Sequence, residues 1–200
     1  MKILIINQKG NIRSISNMLL KCGIKSEITE NYEDIKNANK IILPGVGSFD
    51  HAMNFLREKK LDLALTEFIK NKNNFLLGIC LGMQLLFERS EEGTSFGLSF
   101  IKGDVIKFQD NNNDFKIPHM GWNYVENSSI NSKFKLINQR YYFAHSYYVN
   151  PSNNDNLIHH SDYISKFPAI VEKDNIIGFQ FHPEKSHNFG KEILNQFINL

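Results

Sequence analysis

A chain of 200 residues with 42% hydrophobic content carries enough apolar side chains for a substantial core, and its length fits one large domain, residues 1–200, better than two small ones. The 23 basic and 21 acidic residues are mixed along the sequence and leave a net charge of +2, which argues against a broad electropositive face and against nucleic acid as a partner. Cys22 and Cys80 alone offer no disulfide framework, the early apolar run ILII is too short for a signal-peptide core, and no stretch approaches membrane-spanning length, so a cytoplasmic protein without membrane contact is expected.

In chain order, KILIIN reads as a buried strand. Ile12, Ile15, Met18, Leu19 and Cys22 then recur at helical spacing up to Gly23, which places Cys22 on the apolar face of a first helix. SEIT and KIILPG read as the second and third strands, a helical pair is expected from about Ser48 to Asn71, and FLLGI follows as another strand. Strands alternating with helices predict a parallel sheet covered on both faces. The asparagine-rich pieces NKNN, DNNND and NPSNNDN favour turns and read as solvated loops. Beyond residue 96, SFIKGDVIKF, RYYFAHSYYV, PAIVEK and NIIGFQFH are short and rich in β-branched or aromatic residues. They predict antiparallel or mixed strands, followed by a last helix carrying Phe189, Ile193, Leu194, Phe197 and Ile198. The expected fold class is α/β, with a central, mostly parallel sheet flanked by helices and additional antiparallel strands in the C-terminal half.

The chemistry concentrates in three segments. In LLGICLGMQLL, Cys80 stands between Gly78 and Gly82 where a strand is expected to give way to a helix. Ligands and reacting groups gather at the carboxyl ends of parallel strands. Flanking glycines let the chain turn sharply there, as in a nucleophile elbow, and a helix starting near Leu81 would turn its N–H groups towards the sulfur. Free cysteine is also among the most buried residue types, so the motif gains force only from a base. GFQFHPEKS supplies one: Pro183 ends strand pairing and leaves His182 at the strand's end, and Glu184, two residues on along an extended chain, can reach the imidazole. In LPGVGSF, the Val46–Gly47 stretch can direct amides at a reacting carbonyl oxygen, whereas Walker spacing for a phosphate is lacking. No motif calls for a metal or a cofactor.

PGVGSF, GICLGMQLLFE, GLSFIKGDV, IPHMGWN, YYFAHSYYV and GFQFHPEKS, in this order and at these separations, resemble the class I glutamine amidotransferases, and within them the glutaminase subunits of imidazole glycerol phosphate synthase. The resemblance implies the flavodoxin-like class I glutaminase fold and a Cys80–His182–Glu184 triad that releases ammonia from L-glutamine. It implies an oxyanion site built by the amides of Leu81 and the Val46–Gly47 loop, and glutamine held by Gln84, Ser146 and Tyr147. His145, in an aromatic strand beside that pair, is expected to be a packed, hydrogen-bonded histidine and not a second base. Ammonia in neutral water is mostly protonated and no longer nucleophilic, so it needs an enclosed passage to its acceptor. In the family the acceptor site belongs to a (β/α)8-barrel cyclase, which forms a heterodimer with the glutaminase and makes imidazole glycerol phosphate in histidine biosynthesis. Asn11, Met120, Trp122, Tyr142 and Lys185 match positions on or near that contact surface. Trp122 equally suits a core. The family's turn after the first strand reads DYGxGN; here NQKGN is one residue shorter, and Gly10 and Asn11 fit its end. The resemblance also implies weak activity until the partner holds its nucleotide; the PGVG loop, with an amide turned away from the oxyanion position at rest, is our own expectation for the switch. Three other readings remain: a paralogue feeding another acceptor, such as an amidino-sugar ligase of surface polysaccharide synthesis, a non-catalytic binding module, and a thiol peptidase or hydrolase of related fold.

Overall fold

The computed structural model describes residues 2–8, 10–112, 114–128, 131–136, 139–152 and 156–200; Lys9 of the NQKGN turn and parts of DNNND and NPSNNDN lie outside them. Its first half alternates β1 (Ile3–Ile6), α1 (Ile12–Lys21), β2 (Ser26–Thr29), α2 (Tyr32–Lys36), β3 (Lys40–Leu43), α3 (Phe49–Glu58), α4 (Leu61–Phe68) and β4 (Phe75–Ile79). After the single turn α5 (Leu81–Gln84) come β5 (Arg89–Ser90), β6 (Gly103–Lys107), β7 (His119–Tyr124), β8 (Arg140–His145), β9 (Tyr147–Pro151), β10 (Leu157–Asp162), β11 (Lys166–Lys173) and β12 (Ile176–Phe179). A 3-10 turn (Pro183–Lys185) and α6 (His187–Ile198) follow.

Seven strands form the main sheet in the order β10-β11-β12-β4-β3-β1-β2. The pairs among β12, β4, β3, β1 and β2 are parallel, while β11 and β10 extend the sheet antiparallel. The strands are apolar on both sides because both sides are covered. Ile3, Ile5, Ile42, Leu77 and Ile79 join a core with Ile15, Leu19, Ile193, Leu194 and Phe197 of α1 and α6. Their neighbours Leu4, Ile6, Ile41, Leu43 and Leu76 join a second core with Phe49, Met53, Leu56, Leu61 and Leu65 of α3 and α4. Consecutive strand residues thus go to opposite faces, the two-residue period of an extended chain in a doubly covered sheet.

The remaining strands form smaller units, β5-β6-β9 and the ribbon β7-β8. RYYFAHSYYV is therefore two strands in different sheets, parted at Ser146, and not one. Strands at 119–124 and 157–162 and the short helix α2 add to the elements expected from the sequence. The helix expected after Cys80 is one turn only, and β12 stops at Phe179, before the end of the apolar run. Cys22 is half-buried at the C-cap of α1, its thiol 3.6 Å from the Lys191 carbonyl.

Candidate active site

Because β3, β4 and β12 are parallel neighbours, the residues that follow them emerge at one edge of the sheet. These are the loop from Pro44 to Gly47, Cys80, and Gln180 to His182. The edge opens into a cavity of about 350 Å3 lined by Val46, Gly47, Cys80, Leu81, Gln84, Ser146, Tyr147 and His182, together with Glu92, Pro118, Met120, Ala144, His145 and Lys185. All of the residues expected as triad, oxyanion or substrate groups border this cavity except Glu184, which stands behind His182.

Cys80 has φ 53° and ψ −110°, a conformation open to glycine and costly for other residues, by about 1–3 kcal/mol. The glycines beside it hold the turn by close approach. A Cβ on Gly78 would lie 2.5 Å from the Gly82 carbonyl oxygen, and one on Gly82 would lie 1.8 Å from the oxygen of Leu43 at the end of β3. A Cβ on Gly45 would meet the Leu81 side chain at 2.8 Å and the Gly82 amide at 2.9 Å. The PGVG loop and the cysteine turn are consequently packed backbone to backbone. Gly47 has φ +99° with open space beside it, and Val46 is exposed. With α5 only four residues long, its dipole is small, and what it offers the sulfur is the unpaired N–H groups of a first turn.

His182 donates its backbone N–H to the Tyr142 carbonyl at 2.8 Å, and its own carbonyl accepts from Ser186 Oγ at 2.6 Å. Ser186 Oγ in turn accepts from the Tyr142 amide at 2.9 Å. The imidazole Nδ1 lies 2.9 Å from Glu184 Oε1, with both side chains nearly excluded from solvent. The alternation expected of an extended chain is not what brings Glu184 there: residues 183–185 form the 3-10 turn, which folds the carboxylate back under the ring. Burial pushes the His182 pKa down, but the facing Cys80 sulfur and the Glu184 carboxylate outweigh it and raise the value to about 10. The raised value favours the imidazolium form of His182 at neutral pH.

Gln180 belongs to no motif of its own, although its place two residues before His182, which on an extended chain puts both on one side, is a signal in the sequence. It is fully buried, and its Nε2 donates to Cys80 Sγ at 3.8 Å while its Oε1 accepts from Gln84 Nε2 at 3.3 Å. Gln84 also donates to the Tyr147 carbonyl at 2.9 Å. Glu92, in a loop without a readable signal, accepts from the Phe49 amide at 2.9 Å, and partial burial raises its pKa.

His145 is packed as expected. Its Nδ1 is 2.8 Å from the Tyr147 carbonyl and its Nε2 is 3.1 Å from His119 Nδ1. Burial lowers His145 to about 3 and His119 to about 4, so both are neutral at pH 7. A histidine that stays neutral when folded but takes a proton when unfolded stabilises fully above its ordinary 6.5, and this stability is lost as pH falls towards the folded value. For His145 the expected slope is about 1.4 kcal/mol per pH unit below that point. Urea midpoints of wild type and His145→Asn, compared between pH 5 and 7, should show the slope reduced in the variant.

Of the residues expected at a partner surface, Met120 is 62% and Trp122 42% exposed, on the outward face of β7 beside Tyr124. Trp122 is thus not a core residue. It stacks on His187 at 5.6 Å and lies under the Arg140 guanidinium, while the Lys185 ammonium sits over Tyr142. Asn11 immediately precedes α1, without a side-chain capping hydrogen bond, and lines a separate cavity at the ends of β1 and β2. No helix among the described residues is long and apolar enough to cross a membrane.

The family model for glutamine amidotransferase class-I matches residues 3–200. Imidazole glycerol phosphate synthase subunit HisH 2 of Pseudomonas aeruginosa is 45% identical over 193 residues, 96% of this chain and 95% of that protein. In Methanococcus maripaludis, subunit HisH 2 is 49% identical over 94% of both chains and subunit HisH 1 is 43% identical over 96% and 95%. Among solved structures, a glutamine amidotransferase superposes with a TM-score of 0.77 at 15% identity, covering 99% of this chain and 98% of that one. A glutamine amidotransferase from Thermotoga maritima superposes with a TM-score of 0.62 at 16% identity, covering 100% and 83%. By this agreement along nearly its whole length, the chain belongs to the class-I glutamine amidotransferases, in the branch formed by the HisH subunits of imidazole glycerol phosphate synthase.

Proposed function

We propose that this chain hydrolyses L-glutamine to glutamate and ammonia and delivers the ammonia to a (β/α)8-barrel cyclase that forms imidazole glycerol phosphate in histidine biosynthesis. The observation that carries the chemistry is the buried His182, hydrogen-bonded to Glu184 on one side and electrostatically coupled to the Cys80 sulfur on the other, at the wall of one cavity. In this reading the Cys80 thiolate attacks the side-chain carbonyl carbon of glutamine, and the oxyanion takes hydrogen bonds from the Leu81 amide and from the Val46–Gly47 loop. His182 gives its proton to the amide nitrogen as the C–N bond breaks, leaving a glutamyl thioester and ammonia. It then takes a proton from water, whose hydroxide displaces the sulfur and releases glutamate. Glu184 holds the imidazole orientation throughout. Gln84, Ser146 and Tyr147 hold the substrate.

The exposed face of β7 with Tyr142 and Lys185, close to the cavity mouth, is the proposed docking surface, with Asn11 at its margin. Trp122→Ala is expected to weaken pairing with the cyclase by about 10- to 100-fold, as loss of an aromatic anchor does. Titration calorimetry of the purified pair checks this. Gly47, with its positive φ and open surroundings, suits the loop that turns an amide into the oxyanion position when the partner is occupied.

The test is glutamine turnover by the chain alone, with the cyclase, and with the cyclase and its nucleotide. Turnover should rise by orders of magnitude along the series. A chain fully active on its own overturns the switch, and a partner that never stimulates overturns the pairing. The two numbered HisH copies in one archaeon keep a second acceptor in view, since a duplicated glutaminase is free to serve another enzyme. Stimulation by an amidino-sugar ligase and not by the cyclase would favour that reading.

A further inference from the structure

An unbroken hydrogen-bond chain links the proposed docking ribbon to the sulfur. On the inward face of β7, Asn123 Nδ2 donates to the Asp162 carbonyl at 2.6 Å and lies 3.4 Å from His119 Nε2. His119 Nδ1 is 3.1 Å from His145 Nε2, and His145 Nδ1 is 2.8 Å from the Tyr147 carbonyl. The same carbonyl accepts from Gln84, which donates to Gln180, which donates to Cys80.

One proton placement satisfies every link. The Tyr147 carbonyl only accepts, so His145 must carry its proton on Nδ1 and accept at Nε2. His119 must then donate from Nδ1, and its Nε2 accepts from the second hydrogen of Asn123. Both rings are therefore neutral Nδ1–H tautomers, and a proton added to His145 Nε2 would face another donor. Packing fixes the rings as well. His119 is stacked between Phe143 at 4.9 Å and Tyr163 at 4.1 Å, and His145 lies against Phe108 and Phe167. Burial keeps both below their ordinary range, which matches their neutral roles.

We infer that His119, which does not border the cavity, is a positioning residue: through His145 it fixes the Tyr147 carbonyl and so the Ser146–Tyr147 wall and the Gln84–Gln180 link to the nucleophile. The inference rests on the glutaminase reading above. It predicts that the donor at the Nδ1 position matters and the rest of the ring does not. Asparagine places an amide N–H close to Nδ1, whereas leucine fills the space without a donor.

In the assembled pair, His119→Asn should keep KM for glutamine within about threefold of wild type. His119→Leu should raise KM about tenfold with kcat changed much less, because His145 Nε2 is left buried and unpaired and the substrate wall is freed to shift. A purely structural histidine would instead lower the unfolding temperature in both variants and leave KM alone. Long-range 1H–15N spectra of the wild-type chain should show both imidazoles as Nδ1–H tautomers, whatever the folding of the variants. Nε2–H tautomers, or a KM unmoved by leucine while wild type turns glutamine over, would overturn the inference alone. Failure of wild type to hydrolyse glutamine would overturn the glutaminase reading and this role with it.

Discussion

Cys80→Ala is expected to abolish glutamine turnover, by about four or more orders of magnitude, while leaving the free energy of unfolding within about 0.5 kcal/mol of wild type. Alanine keeps the Cβ and therefore the same strained φ of 53°, so the fold feels little change while the proposed nucleophile is gone. His182→Asn should cost nearly as much, and the double variant little more than either alone, because the two groups act as one unit. Cys80→Gly separates chemistry from conformation. It should be equally inactive but more stable than Cys80→Ala by about 1 kcal/mol, since glycine adopts this backbone conformation without strain. Glutaminase assays beside urea unfolding curves check both halves. Appreciable turnover in Cys80→Ala would remove the cysteine from the mechanism.

Gly82→Ala should be among the most damaging single-methyl changes in the protein. Its Cβ would sit 1.8 Å from the Leu43 carbonyl oxygen, a backbone atom of the main sheet that cannot swing aside. Either β3 and β4 separate or the cysteine turn shifts, so a loss of about 3 kcal/mol or more is expected, with a corresponding loss of activity. Gly47→Ala is the informative contrast. Its Cβ meets nothing within 4 Å, and the cost is limited to the positive φ, about 1 kcal/mol. If the PGVG loop switches, the contrast extends to function, with Gly47→Ala blunting stimulation by the partner more than it lowers stability. Equal destabilisation by the two substitutions in urea unfolding would contradict this packing.

What was legible in the sequence follows from what each pattern had to satisfy. KILIIN, KIILPG and FLLGI are apolar at nearly every position because both faces of their strands are covered, and that demand leaves few alternatives. GICLG and HPE were legible because close approach and a proline stop restrict the residue types at their positions. The aromatic run RYYFAHSYYV misled because its composition is continuous, while the division at Ser146 between two sheets is set by distant partners, β7 and β6. The strand at 157–162 was hidden by its inward histidine and serine, His159 and Ser161, which are buried yet polar. MQLLFE carries helix-forming residues, yet α5 ends at Gln84, and Leu85, Leu86 and Phe87 are buried on the way into β5. Trp122 was ambiguous because an aromatic residue in a strand suits a core and a contact surface equally.

In the main sheet β12 lies between β4 and β11, although a hundred residues separate Cys80 from Gln180 along the chain. In synthesis from the N-terminus, β4 therefore keeps one open edge until β12 has been made, and Cys80 lacks both Gln180 and His182 until then. In the reading proposed above, the sulfur therefore cannot meet its acid before β12 has closed the sheet beside β4.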